Sequence, residues 1–278
     1  MLELISFDEN VNGIRLHYHR TGGDKPALVL IHGISDDGLC WTPVAEQLAA
    51  EYDIILVDMR GHGRSEAPEH GYLLKDLALD VAELIQKLNL AKPVLLGHSM
   101  GAITTLLLAG IFPDLPKAIL LEDPPPFWMM KEVSAKDAEF RAGLVGWFEA
   151  LKRKTYADIL EDGRTSSPGW SMDELIPWVN SKHRFSPRIA QLVHPLDIVV
   201  IDFPKVLKNI TCPALFISAD NEKGAISSPV DIAKIQSLIP QLIVKHISNA
   251  GHSIRRDQFQ EYMRVVRSQL GEIKSVSF

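Results

Sequence analysis

The strongest constraint on this chain is a set of short runs that are apolar on both faces. Ala27-Leu28-Val29-Leu30-Ile31 shows no alternation of polar and apolar residues and stops at His32-Gly33. A strand with one wet face alternates, whereas one covered on both sides does not. The run therefore predicts a strand buried in a mostly parallel sheet. The same grammar recurs at 54–57, 94–96, 118–121, 214–217 and 243–247. Ahead of these six core strands, the extended stretches 3–7 and 14–19 flank Asn12-Gly13, which predicts an N-terminal β-hairpin.

Helical patterns lie between the strands. Over 76–90, Leu77, Val81, Leu84, Ile85 and Leu88 share one face. The stretch 100–112 is apolar nearly all round and stops before Pro113, which predicts a buried helix. Phe259, Tyr262, Met263, Val266 and Leu270 form one stripe that ends at Gly271. Strands alternating with helices predict an α/β chain with a doubly wound, mostly parallel sheet.

The alternation stops over 124–205, which reads as helices without a core strand. This segment is expected to be a helical insertion, with 1–123 and 206–278 forming the main domain. Pro124-Pro125-Pro126 is a stiff hinge at its start. Ser171-Met172-Asp173-Glu174 has the form of a capping box, Pro177 should kink or shorten the helix begun there, and Ser186-Pro187 offers another helix start.

A formal charge of −6 lacks the basic footprint of a nucleic-acid binder. The first residues carry Glu3, Asp8 and Glu9 rather than the basic start and apolar stretch of a secretory leader, so a cytoplasmic location is expected. No apolar run approaches the roughly 20 residues needed to span a bilayer, and no membrane partner is expected. Cys40 and Cys212 stand far apart without zinc-site spacing and read as buried hydrophobes. No His-x-x-x-His or carboxylate pair at ligand spacing occurs, so neither a metal nor another cofactor is expected.

The chemistry concentrates in Gly97-His98-Ser99-Met100-Gly101, directly after one buried strand and before the buried helix. A turn this sharp needs small residues two places either side of its centre, and it lifts the Ser99 hydroxyl above the sheet as a nucleophile. Asn249-Ala250-Gly251-His252-Ser253 follows the last strand and returns to the same rim, which makes His252 the expected general base. The loop after the first buried strand can aim a backbone amide at a developing oxyanion. Ile34 and Met100 are expected to supply the two amides. His32 and His98 are assigned structural roles.

Together with Ile31-His32-Gly33 and Asp58-Met59-Arg60-Gly61-His62-Gly63-Arg64-Ser65, these motifs resemble the α/β-hydrolase superfamily over nearly the whole chain. The resemblance implies that 124–205 is the family's helical cap and that Arg60 and His62 shape a structural turn. It also implies a triad acid. Ala219-Asp220-Asn221-Glu222 stands where many members place that acid in a pattern like Gly-x-x-Asp, but out of register. Leu121-Glu122-Asp123-Pro124 offers carboxylates after the preceding strand, similar to zearalenone-type lactone hydrolases. Glu122 is the assigned acid, with Asp123, Asp220 and Glu222 as alternatives.

The resulting expectation is hydrolysis of a carboxylic ester or lactone through an acyl-enzyme on Ser99. Amide and carbon–carbon bond hydrolysis use the same residues and stay open. So does a receptor-like binding module, because some hormone receptors resemble the family with the triad retained. Aspartate at the elbow marks the related dehalogenases and epoxide hydrolases, and Ser99 argues against both. Four tryptophans fall in the insertion, at 128, 147, 170 and 178. Trp128 and Trp178 are expected to contact a small apolar ester or lactone substrate.

Overall fold

The computed structural model describes residues 2–129, 135–193 and 201–275. β1 (Ile5–Val11) and β2 (Ile14–Arg20) pair antiparallel around Asn12-Gly13. Those turn residues take φ of 46° and 77°, the left-handed values that a tight hairpin requires and that Asn and Gly adopt most readily. β2 pairs antiparallel with β4 (Asp53–Val57). The remaining strands run parallel: β3 (Ala27–Ile31), β5 (Val94–His98), β6 (Ala118–Glu122), β7 (Ala214–Ser218) and β8 (Leu242–His246). The sheet has eight strands in the order β1-β2-β4-β3-β5-β6-β7-β8, the α/β architecture expected from the runs.

Strand alternation assigns each side chain to one of two cores. Val29, Ile55, Leu95, Ile119 and Phe216 pack with α2 (Leu74–Lys87) and α3 (Met100–Ile111). Leu28, Leu30, Ile54, Leu96 and Leu120 pack on the other face with α1 (Thr42–Leu48) and the C-terminal helix. A period of two with both faces covered yields the continuous apolar runs seen in the sequence. β8 is an edge strand with half-wet residues. Its span is one residue earlier than the apolar pattern suggests, because little burial fixes that pattern.

The segment between β6 and β7 contributes α4 (Ala135–Arg153), α5 (Tyr156–Ser166), α6 (Met172–Arg184) and a 3-10 segment at Pro187–Val193. α6 runs through Pro177 to Arg184 without being shortened there. The expected capping box at 171–174 does not form. Ser171 makes no side-chain cap bond, and the Glu174 carboxylate accepts instead from Arg256 Nε at 3.3 Å. α7 (Phe203–Leu207) packs on α3, and α8 (Pro229–Leu238) lies between β7 and β8. The short α9 (Ile254–Asp257) leads into α10 (Phe259–Ser275), which continues past Gly271 because that glycine faces solvent and Ile273 beyond it is buried. Cys40 and Cys212 are buried free thiols, pushed up to about 12 and about 11 respectively by burial. No described helix is long and apolar enough to cross a membrane.

Candidate active site

The strand order doubles back between β4 and β5, with β3 held between them. Such a switch point opens a crevice at the carboxyl ends of the strands. β5 ends at His98 and α3 starts at Met100, so Ser99 alone turns the chain, at φ 52° and ψ −116°. A non-glycine residue held there stores strain of order 1–3 kcal/mol. The turn also presses its flanks together: a Cβ on Gly97 would meet Gly101 O at 2.3 Å, and one on Gly101 would meet Ile31 O at 2.1 Å. Only glycine fits either place.

His252 reaches this turn from the loop after β8. Ser99 Oγ donates to His252 Nε2 at 2.9 Å, and His252 Nδ1–H donates to Asp123 Oδ2 at 2.7 Å. A carboxylate only accepts, so this pairing fixes the proton on Nδ1 and leaves Nε2 free to take the serine proton. Asp123 is fully buried and is held from behind by the amides of Ile226 (2.8 Å to Oδ2) and Ser227 (3.0 Å to Oδ1). Asp220 lies elsewhere, with His246 Nε2 at 2.9 Å and the Asn249 amide at 2.7 Å. Glu222 is exposed in the 3-10 turn Asn221–Lys223.

The assignment of Glu122 to His252 is therefore corrected. β6 ends at Glu122, and Asp123 turns off the strand at φ 40°. That left-handed residue re-aims its side chain toward His252, whereas strand alternation would point it away. Glu122 stays in the strand register, faces α9, and accepts from Arg255 N at 3.0 Å and Arg255 Nη1 at 3.2 Å. Burial pushes its carboxyl up, and the Arg255 charge opposes the shift.

Ile34 and Met100 both line the cavity beside Ser99. Met100 opens α3, so its amide is one of those that no turn of the helix can satisfy. A Cβ on Gly33 would meet Ser99 Cβ at 3.3 Å, so the loop carrying Ile34 lies against Ser99. Two buried imidazoles hold that loop. His32 donates from Nδ1 to Gly33 O (2.8 Å) and accepts the Met59 amide at Nε2 (3.0 Å). His62 donates to Arg60 O (2.9 Å) and accepts the Ser35 amide (3.1 Å). Burial lowers the pKa of both, which keeps them neutral as these bonds require. His98 donates from Nε2 to His252 O at 2.9 Å and so anchors the backbone of His252.

A model of the α/β-hydrolase fold matches residues 26–255. The chain belongs to the α/β-hydrolase family. Among its relatives, N-formylmaleamate deformylase of Pseudomonas putida is 30% identical over 256 residues, covering 91% of each chain. 2-(Acetamidomethylene)succinate hydrolase of Mesorhizobium japonicum is 29% identical over 243 residues, covering 84% of each. The crystal structure of E-2-(acetamidomethylene)succinate hydrolase superposes with a TM-score of 0.82 at 22% identity, covering 97% of this chain and all of the other.

In this α/β hydrolase the elbow opens into a cavity of about 430 Å³. Its apolar wall includes Phe127, Leu144, Trp147, Trp178, Leu192 and Ile226. Trp178 lines this cavity, but Trp128 does not. It is buried against β7 and α8, with Nε1 donating to Asp231 O at 2.9 Å and its ring set edge-on to Phe216. Trp147 and Phe127 line the cavity in its place, since a stripe of aromatics alone does not reveal which of them faces inward.

A buried charge cluster underlies the cavity and has no counterpart in the sequence expectations. Asp36 accepts from Lys182 Nζ (2.7 Å), Arg256 Nη2 (2.8 Å) and Arg255 Nη2 (3.4 Å), and Glu122 and Glu174 complete the set. Three acids thus face three bases, and the cluster ties the loop after β3, helix α6 and the helix following His252. Burial works to raise Asp36, but Arg256, Lys182 and Arg255 outweigh it and hold its carboxyl well below the usual range. A depressed folded-state value means stability that is complete above the ordinary carboxylate pKa of about 3.9 and is lost as pH falls below it. Asp36→Asn is therefore expected to lower unfolding free energy at pH 7 by about 3–5 kcal/mol, since it strands buried cations. Urea denaturation checks this, and the deficit should shrink below pH ~4.

Proposed function

We propose that this α/β hydrolase cleaves an uncharged carboxylic ester or lactone by covalent catalysis. The observation that carries the reading is the Ser99–His252–Asp123 chain, bonded at 2.9 and 2.7 Å, at the floor of an apolar cavity. His252 Nε2 takes the hydroxyl proton as Ser99 Oγ attacks the carbonyl carbon, and Asp123 stabilises the imidazolium. The Ile34 and Met100 amides receive the oxyanion. His252 then protonates the leaving oxygen, and a water activated by the same imidazole releases the acid and restores Ser99. In a lactone both products remain one molecule.

A second reading is hydrolysis of an amide, favoured by the two relatives whose names state a deformylase and an acetamido compound as substrate. Those names also describe acids. Among the described residues, the cationic ones lining the cavity, Lys182 and Arg256, are engaged with Asp36 and Glu174. A substrate carboxylate would enter an apolar cavity whose described cations are already paired, at a cost of several kcal/mol. The test compares matched esters and amides of one apolar acyl group with an amide bearing two carboxylates. Neutral apolar esters should exceed the dicarboxylate amide in kcat/KM by at least about tenfold, the equivalent of 1.4 kcal/mol. The reverse order would replace this reading with the amide one.

A further inference from the structure

β2 carries His17 and His19 two residues apart, which on a strand places both imidazoles on one face. The chain after β4 brings Asp58 to that face, where its amide donates to His17 O at 3.0 Å. One ring nitrogen of each histidine and one Asp58 carboxylate oxygen lie within 4.8 Å of one another, and all three residues are buried. None of them lines the cavity at Ser99.

Two observations suit this cluster to holding a cation. The first is that the imidazoles are held from behind by β1 partners in register: His17 Nδ1 bonds Asp8 Oδ1 and His19 Nδ1 bonds Ser6 Oγ, each at 2.9 Å. This is the outer-sphere arrangement that fixes the tautomer of metal-ligating histidines and turns Nε2 inward as a lone-pair donor. The second is that His17 Nε2 is buried with no hydrogen-bond partner, a cost a folded chain ordinarily avoids. The surrounding charges permit a cation. Among the described residues, Arg184 is paired to Asp37 at 2.6 Å and Arg15 to Asp8 at 2.7 Å, which leaves Arg64 as a nearby cation.

We propose that His17, His19 and Asp58 form a binding site for a divalent ion of the zinc class, separate from the hydrolytic centre. Two imidazoles and a carboxylate suit such an ion, with a fourth position for water. Tetrahedral ligation at about 2.1 Å sets the donor atoms about 3.4 Å apart, so the ion draws the groups slightly together. It would pin the β1–β2 hairpin to the turn after β4 and take no part in acyl transfer.

Chelator-stripped full-length chain is dialysed against Zn²⁺ at pH 7.5 and bound metal is counted by elemental mass spectrometry. One equivalent is expected, with His17→Gln and His19→Gln weakening binding about 100-fold and His252→Gln leaving it intact. Visible absorption of the Co²⁺ form gives a second readout. Asp8→Asn serves where a histidine variant does not fold, because Asp8 is half exposed, and loss of an outer-sphere partner is expected to cost about 10–100-fold in affinity. Absence of stoichiometric zinc, equal binding by all variants, or loss only in His252→Gln would overturn the site.

Discussion

Ser99→Ala is expected to lower kcat by about 10⁴-fold or more while leaving the unfolding transition nearly unchanged. The substitution removes one oxygen whose bond in the resting structure is to His252. Alanine tolerates the tight turn no worse than serine does, because neither has a glycine's freedom at φ 52°. The remaining rate would come from the oxyanion amides and binding alone. Turnover of the best ester substrate, alongside thermal unfolding of both proteins, checks the prediction. A variant that kept more than a tenth of the parent activity would exclude an acyl-enzyme on Ser99. Mass spectrometry of a fluorophosphonate-treated sample should give one adduct on the parent and none on the variant.

Ser99 and His252 were legible in the sequence because each follows a strand that its own apolar run announces. The glycines around Ser99 report the close approach of Ile31 and Gly101 directly. The pairing of Asp123 with His252 was not legible, because the direction of that side chain depends on one dihedral. Alternation places Glu122 and Asp123 on opposite faces only while the strand continues, and the strand stops between them. The charge cluster escaped for a different reason. Asp36, Lys182 and Arg256 come from three distant segments, and a charged residue looks like surface until its partners are known. Glu174 even sat in a plausible local motif, yet the tertiary partner Arg256 prevailed over the cap.

Asp123→Asn is expected to lower kcat by about 10³–10⁴-fold, whereas Glu122→Gln should reduce it less than about tenfold per folded molecule. The Asp123 carboxylate receives an amide on each oxygen, Ser227 on Oδ1 and Ile226 on Oδ2, besides His252 Nδ1 on Oδ2. An asparagine cannot satisfy all three, because whichever way it is turned its NH2 group meets a backbone N–H. It also lacks the charge that stabilises the imidazolium formed when His252 takes the Ser99 proton. Glu122→Gln acts elsewhere. It weakens the partner of a buried guanidinium, Arg255, and so belongs to the cases in which breaking a buried ion pair costs about 3–5 kcal/mol of stability. The two effects separate in a pair of measurements, with Asp123→Asn losing rate more than stability and Glu122→Gln losing stability more than rate. If the folded fraction of Glu122→Gln instead lost 10³-fold in kcat while Asp123→Asn stayed near the parent rate, the hydrogen bond at 2.7 Å would not be the catalytic one, and the acid would have to be Glu122 acting through a rearranged loop.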